Sequence, residues 1–317
     1  VGNSLRIVDV GARFGLHPSF VPIQDNSDIL LVDADPFESE RLSHKYKQHP
    51  NIRVKNAFVS HGNAVDSKRR LNIYSHPGGS SAFEPRLDLP YWSILRPGSA
   101  TIQDAVDVAS ASLDELCTPS ACVVDFLKID VEGAELEVLR GATRTLASII
   151  GVRIEVMFNS LYQDLEPNFG NLDALLRANG LWLLRYDLPT NAYAPFSRFR
   201  GSDSYGMIVG GDAIYIRDMT DVEGTATTIV FKMALFAALN KAIDLSLYLL
   251  LKICGRSDYL TDQCVIDLMP TVERLVATEV FRNQDLPGQS LVEFAPVWEK
   301  LFTSEPLKYG NYFRRYH

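Results

Sequence analysis

Carboxylates at the ends of apolar runs are the groups in this sequence best suited to chemistry. Asp130 and Glu132 follow directly on Phe126-Leu127-Lys128-Ile129, and Glu155 lies within Val152-Arg153-Ile154-Glu155-Val156. Acids beside an apolar strand are costly as mere core, because buried charges need partners. Grouped together they can take a proton from a hydroxyl or hold a hard divalent cation of the magnesium or calcium class. His76 opens a Gly, Ser and Pro-rich stretch over residues 76–97 and is a further proton acceptor. Each has a plainer alternative: a surface imidazole for His76, a salt bridge from Arg153 for Glu155, and capping of a following helix for Glu132 and Glu135.

A second group of residues has the spacing of a nucleotide-type site. Asp9-Val10-Gly11-Ala12-Arg13-Phe14-Gly15 follows an apolar run, so Gly11 and Gly15 fall where a chain must turn tightly beneath a ligand. Asp9, Gly11, Ala12, Arg13 and Gly15 are the contacts expected there. A dinucleotide fingerprint wants glycine two positions after the first, to admit a pyrophosphate, and Arg13 stands in that place, which counts against a nicotinamide oxidoreductase. Asp33 ends the next apolar run about 20 residues on, where a carboxylate can accept both ribose hydroxyls. Asp35-Pro36 reads instead as a helix N-cap with proline at the first helical position.

The elements that must position these residues are an alternation of short apolar runs and helical patterns, which predicts an α/β fold with a mostly parallel sheet and helices on both faces. The strands expected are residues 6–10, 29–32, 52–58, 124–129, 149–156, 182–186 and a final pair, 205–209 and 213–216. Helical spacing covers 36–47, 134–146 and 172–179, and the glycine turn is expected to lead into a helix. Extra strands are expected at 70–75 and 104–109. Past Asp218 helical patterns take over, at 226–254, 259–268, 271–282 and 291–302, so a boundary near residue 220 separates a first domain, 1–220, from a helical region, 221–317.

The run Asp125-Phe126-Leu127-Lys128-Ile129-Asp130-Val131-Glu132-Gly133-Ala134-Glu135-Leu136 resembles the FkbM-type methyltransferase family. So do Val8-Asp9-Val10-Gly11-Ala12, Gly79-Ser80-Ser81-Ala82-Phe83-Glu84-Pro85 and Ala111-Ser112-Leu113-Asp114-Glu115-Leu116, in the family's order, over roughly residues 5–217. The resemblance implies a Rossmann-like class I methyltransferase sheet with a C-terminal helical extension. It also implies S-adenosylmethionine as cofactor, and O-methylation of a hydroxyl on a sugar, glycolipid, polysaccharide or secondary metabolite. The sequence departs from the family at Arg13, where a small amide residue is common; whether Arg13 meets the cofactor carboxylate or solvent is open. Asp130 is then expected to contact cofactor or acceptor. Glu132, Glu155 and His76 are candidates for orienting the acceptor or removing its proton, with a divalent metal as the alternative use of the acids. A catalytically degenerate interaction module on the same fold is the non-enzymatic alternative.

Composition narrows the partners. A formal charge of −8, from 31 basic and 39 acidic residues without basic runs, argues against nucleic acid. Four cysteines without CxxC spacing and no secretory leader fit a reduced, cytoplasmic protein. Residues 228–255 are apolar, but Lys232, Lys241, Asp244 and Lys252 interrupt them, so no bilayer span is expected. Helices this apolar want burial, and subunit association, a substrate lid or packing within the chain would each provide it.

Overall fold

The structure is a computed structural model that describes residues 5–61, 68–89, 91–92, 96–117, 123–165, 168–187, 209–256, 258 and 262–280. It divides into two compact units, Val1–Thr220 and Asp221–His317. In the first, strands β1 (Leu5–Val10), β2 (Ser27–Asp33) and β3 (Ile52–Asn56) wind to one side of the sheet. Strands β4 (Phe58–Val59), β5 (Lys68–Tyr74) and β6 (Ile102–Ala111) form a separate small sheet in the order β4-β6-β5. The chain then returns through β7 (Phe126–Ile129) beside β1 and winds the other way through β8 (Gly151–Met157), β9 (Leu181–Asp187) and β10 (Gly210–Arg217). The main sheet has seven strands in the order β3-β2-β1-β7-β8-β10-β9. It is parallel except for β10, which runs antiparallel to both β8 and β9. The winding reverses between β1 and β7, and in such sheets the crevice beyond the strand C-termini at the reversal is where ligands bind.

Alternation along the strands explains the layers. Val8, Val10, Leu127, Ile129, Val152 and Ile154 face one side and form the main core. The helices α2 (Leu113–Leu116), α3 (Glu135–Arg140), α4 (Thr143–Ser148) and α5 (Phe169–Ala178) supply Leu113, Val138, Leu139, Leu146, Leu172 and Leu176 to it. The intervening residues, among them Ile7, Asp9, Phe126, Lys128 and Arg153, face the other side, where Phe20 stacks on Phe126 at 6.2 Å between ring centroids. Helix α1 (Pro36–Lys45) lies against β2 and β3. Its N-cap is Asp35, whose Oδ1 accepts the Phe37 and Glu38 N–H groups, and Pro36 takes the first helical position.

Several boundaries differ from the sequence expectations. The glycine turn leads into a 3-10 stretch, Pro18–Asn26, rather than an α-helix; it contains two prolines, one of them Pro22 inside the stretch. The single helix expected over 134–146 is broken into α3 and α4 at Gly141, where a Cβ would lie 2.2 Å from the Ser60 carbonyl oxygen. In the second unit, the helix expected over 226–254 is two, α6 (Thr227–Leu239) and α7 (Ile243–Ile253), divided at Lys241 with φ of 60°. The two patterns expected at 259–268 and 271–282 merge into one helix, α8 (Gln263–Val280), which carries Pro270 inside it. The strand segment 205–208, the helix over 291–302 and Cys122 lie outside the described residues. Among the described residues, no helix is long and apolar enough to cross a membrane.

The second unit is tied internally by polar contacts around its buried apolar helices. Arg256 donates to the carbonyls of Val222 and Thr225, and Thr227 and Thr228 pair with Asp258 and Asp262.

Gly141 and Gly170 make a paired test of this packing. Gly170 lies in α5 with nothing within 4 Å of an added Cβ. Gly170→Ala is therefore expected to stabilise by about 0.5–1 kcal/mol. Gly141→Ala, which meets backbone, is expected to destabilise by about 1–3 kcal/mol. Thermal or denaturant unfolding reads both; equal effects at the two sites would mean that Gly141 is not packed against the Ser60 carbonyl.

Candidate active site

The turn after β1 is held by backbone: the N–H groups of Gly11 and Ala12 both donate to the Val32 carbonyl, at 2.9 and 3.0 Å. Gly11 has φ of 76°, and an added Cβ would fall 1.7 Å from the Asp130 carbonyl oxygen. Only glycine allows β1 to turn this close to the end of β7. Together with Asp33 from β2 and the β7 end, this turn lines a cavity of about 350 Å³ whose walls include Gly11, Arg13, Gly15, Asp33, Asp130 and Glu132. The opposite wall comes from Pro77, Gly78 and Ser80, in the loop after β5.

Asp33 sits at one end. Its Oδ1 accepts the Asp35 N–H at 2.8 Å, and burial pushes its carboxyl up to about 6 despite that bond. Oδ2 has no partner among the described residues, so a lone pair remains for a ligand hydroxyl. Arg13 lines the cavity but pairs with Asp35 at 2.7 Å.

Asp130 and Glu132 also line the cavity, and Glu155, absent from its wall, joins them. Oxygens of Asp130, Glu132 and Glu155 lie within 4.8 Å of one another. Glu132 has a left-handed backbone, φ of 53°, unusual for a residue with a side chain. Two residues hold it there: Ser81 Oγ donates to its carbonyl at 2.6 Å, and Tyr162 Oη donates to its Oε2 at 2.7 Å. Burial, reinforced by the Asp130 charge, pushes the Glu132 carboxyl up to about 8. Glu155 is raised well above the usual carboxylate range by burial and then by Glu132. Glu135 has a different task. Fully buried, it accepts the Val131 and Gly133 N–H groups and the Asn168 side-chain amide, so it ties the start of α3 to α5.

Other expected residues fall elsewhere. Asp9 is fully buried and absent from the cavity wall; it accepts the His17 N–H at 2.9 Å and stands 3.3 Å from Lys128 Nζ, making it a strut beneath the turn. Ala12 is likewise buried, with its N–H directed to Val32 rather than to a ligand. His76 is exposed, caps the 3-10 turn Pro77–Gly79 and does not line the cavity. Arg153 pairs with Asp187 and Asp212, at 2.9 and 2.7 Å, and not with Glu155.

Sequence reasoning missed four contributors. Lys128 Nζ donates to the Gly11 carbonyl at 2.8 Å and bridges Asp9 and Asp130; a lysine inside an apolar strand was its available signal. The Gly79–Pro85 segment carried a signal for Ser81, although not for its role. Tyr162 and His17, which lines the cavity, had none.

A family model described as the methyltransferase FkbM domain matches residues 9–181. Comparison with curated protein sequences gives no match. Solved structures similar to this chain include a fibrillarin pre-rRNA processing protein of Methanococcus jannaschii, at 13% identity and TM-score 0.35, covering 68% of each chain. Another is the N-terminal domain of EvdMO1 with SAH bound, at 10% identity and TM-score 0.35, covering 68% of this chain and 76% of that one. A third is a TehB-like SAM-dependent methyltransferase from Corynebacterium glutamicum, at 11% identity and TM-score 0.31, covering 69% and 83%.

The raised Glu132 carboxyl has a consequence for stability. An acid whose folded pKa lies above its unfolded value favours folding while both states hold the proton, and that advantage is lost as pH rises, here between about 4.5 and 8. Glu132→Gln keeps an acceptor for Tyr162 but removes the charge. It is expected to be more stable than the wild type at pH 8 by about 1–3 kcal/mol, with the gap closing toward pH 5. His17, pulled down to about 4, titrates with the opposite sign but is common to both proteins. Denaturant unfolding across that range reads the difference; a constant gap, or a less stable variant at pH 8, would contradict the burial of this charge.

Proposed function

The chain belongs to the FkbM methyltransferase family, and from that premise we propose that its cavity binds S-adenosylmethionine and transfers the methyl group to a hydroxyl. The observation that carries this reading is the convergence of the Gly11 turn, Asp33, Asp130 and Glu132 on one cavity at the reversal of the sheet. Asp33 is suited to the ribose hydroxyls, and the glycine turn lets a ligand approach the backbone.

Methyl transfer from a sulfonium is an in-line displacement on an activated carbon, so the protein's part is alignment, exclusion of water and removal of the acceptor proton. Asp130, at the mouth of the acid cluster and 3.4 Å from Lys128, is suited to contact cofactor or acceptor. Glu132 and Glu155 are suited to take the proton, because a carboxyl raised toward neutral pH is a stronger base than an ordinary one once ionised. The acceptor class that the family resemblance implies is a hydroxyl of a sugar, glycolipid, polysaccharide or secondary metabolite. A second reading is favoured by the proximity of the three acids: a magnesium- or calcium-class ion held by Asp130, Glu132 and Glu155 would lower the acceptor pKa instead.

Calorimetry with S-adenosylhomocysteine is expected to give binding by the wild type and at least about tenfold weaker binding by Asp33→Ala. No binding by the wild type would remove the cofactor reading, and binding without turnover of any hydroxyl acceptor would favour the interaction module. Glu132→Gln and Glu155→Gln are expected to lower turnover about 10²–10⁴-fold while cofactor affinity stays near wild type. Wild-type turnover should rise with pH toward about 8 as Glu132 loses its proton. Turnover abolished by EDTA and restored by magnesium selects the metal; unchanged turnover selects the base.

A further inference from the structure

The acidic end of the cavity contains donors as well as acids, and counting their protons singles out one side chain. The Lys128 ammonium has three N–H groups. Four acceptors surround it: the Gly11 carbonyl at 2.8 Å, Asp9 at 3.3 Å, Asp130 at 3.4 Å and the Val10 carbonyl at 3.5 Å. Arg153 is engaged by Asp187 and Asp212. Arg13 pairs with Asp35, and its charge is felt at Asp33, so it belongs to the opposite end.

His17 differs from all of these. It lines the cavity, and its backbone N–H is fixed to Asp9 at 2.9 Å. Ring nitrogen Nδ1 accepts the Ser19 N–H at 3.2 Å and lies 2.7 Å from Ser19 Oγ. A nitrogen that accepts a backbone N–H carries no proton of its own, so the neutral ring holds its proton on Nε2. Among the described residues, Nε2 has no partner. The ring stays neutral, because burial and then the Arg153 and Lys128 charges pull its pKa down to about 4. His17 is therefore a preoriented donor held in place from its far side.

A ligand with its ribose at Asp33 and its reactive methyl toward Asp130 and Glu132 must place the amino-acid tail, attached to the same sulfur, near the acids. The tail's ammonium suits the acids, whereas its carboxylate would be repelled there unless a free donor received it. We propose that His17 is a cofactor-binding residue whose Nε2–H donates to the carboxylate of the amino-acid tail of S-adenosylmethionine, a role that rests on the cofactor reading above.

The test compares two ligands that differ in that tail. S-adenosylhomocysteine carries it, and 5′-methylthioadenosine is the same nucleoside thioether without it. Calorimetry on the full chain is expected to show His17→Phe losing about tenfold or more in affinity for S-adenosylhomocysteine, with 5′-methylthioadenosine unchanged within about twofold. His17→Gln, which keeps an N–H donor, should recover part of the loss. The nucleoside thioether reports on the rest of the site in the same variant, so misfolding is not mistaken for loss of the donor. Equal weakening of both ligands, no change in either, or a tail-selective loss in Arg13→Met but not in His17→Phe would each overturn the assignment. Wild type that binds both ligands while His17→Phe keeps their affinity ratio removes His17 alone; wild type that binds neither removes the cofactor reading and this role together.

Discussion

The site depends on one close approach. The carbonyl oxygen of Asp130 occupies the space where a side chain on residue 11 would begin, with only 1.7 Å between that oxygen and an added Cβ. Gly11 therefore fixes how near the turn after β1 can come to the end of β7, and those are the two strands between which the sheet reverses its winding. Lys128 locks the approach from below by donating to the Gly11 carbonyl while its charge holds Asp9 and Asp130 on either side. The glycine turn and the end of β7 are thus parts of a single hydrogen-bonded unit.

Charge is distributed unevenly around that unit. Lys128 serves Asp9 and Asp130, and Arg153 serves Asp187 and Asp212, so these carboxylates have cationic partners. Glu132 and Glu155 have none at salt-bridge distance among the described residues, and both are shifted toward holding a proton by burial and then by a neighbouring carboxylate, Asp130 for Glu132 and Glu132 for Glu155. Glu132 adds backbone strain, since a left-handed residue with a side chain costs on the order of 1–2 kcal/mol. Ser81 and Tyr162, from separate segments, maintain that conformation. Strain and a raised carboxyl thus coincide at Glu132 on the cavity wall, which is what supports the base role proposed for it.

Much of the fold was legible because its signals are local. Apolar runs marked the strands, Asp35-Pro36 marked the start of α1, and the segment from Asp125 to Leu136 carried the family. The acids at the ends of β7 and β8 were found for the same reason: a charge next to an apolar strand stands out. The failures were tertiary. Nothing near Gly141 shows that the Ser60 carbonyl will lie against it, at the point where the helical pattern breaks. Asp9 reads as a ligand contact at the end of β1, yet pleat alternation turns it into the face shared with Lys128, where it is sealed. His76 has suitable chemistry on a suitable loop, but it is Pro77, Gly78 and Ser80 that face the cavity. Tyr162 and His17 act through contacts made 30 and 8 residues away in sequence, which no motif encodes.

The proposed function requires one cavity to join a ribose end at Asp33 to a methyl-transfer end at Asp130 and Glu132. A crystal structure of the protein with S-adenosylhomocysteine tests it most directly, because it locates both ends of the ligand at once. Ribose hydroxyls are expected within hydrogen-bonding distance of Asp33, with the thioether sulfur turned toward Asp130 and Glu132. A ligand bound elsewhere, or bound here with its sulfur turned away from those carboxylates, would contradict it.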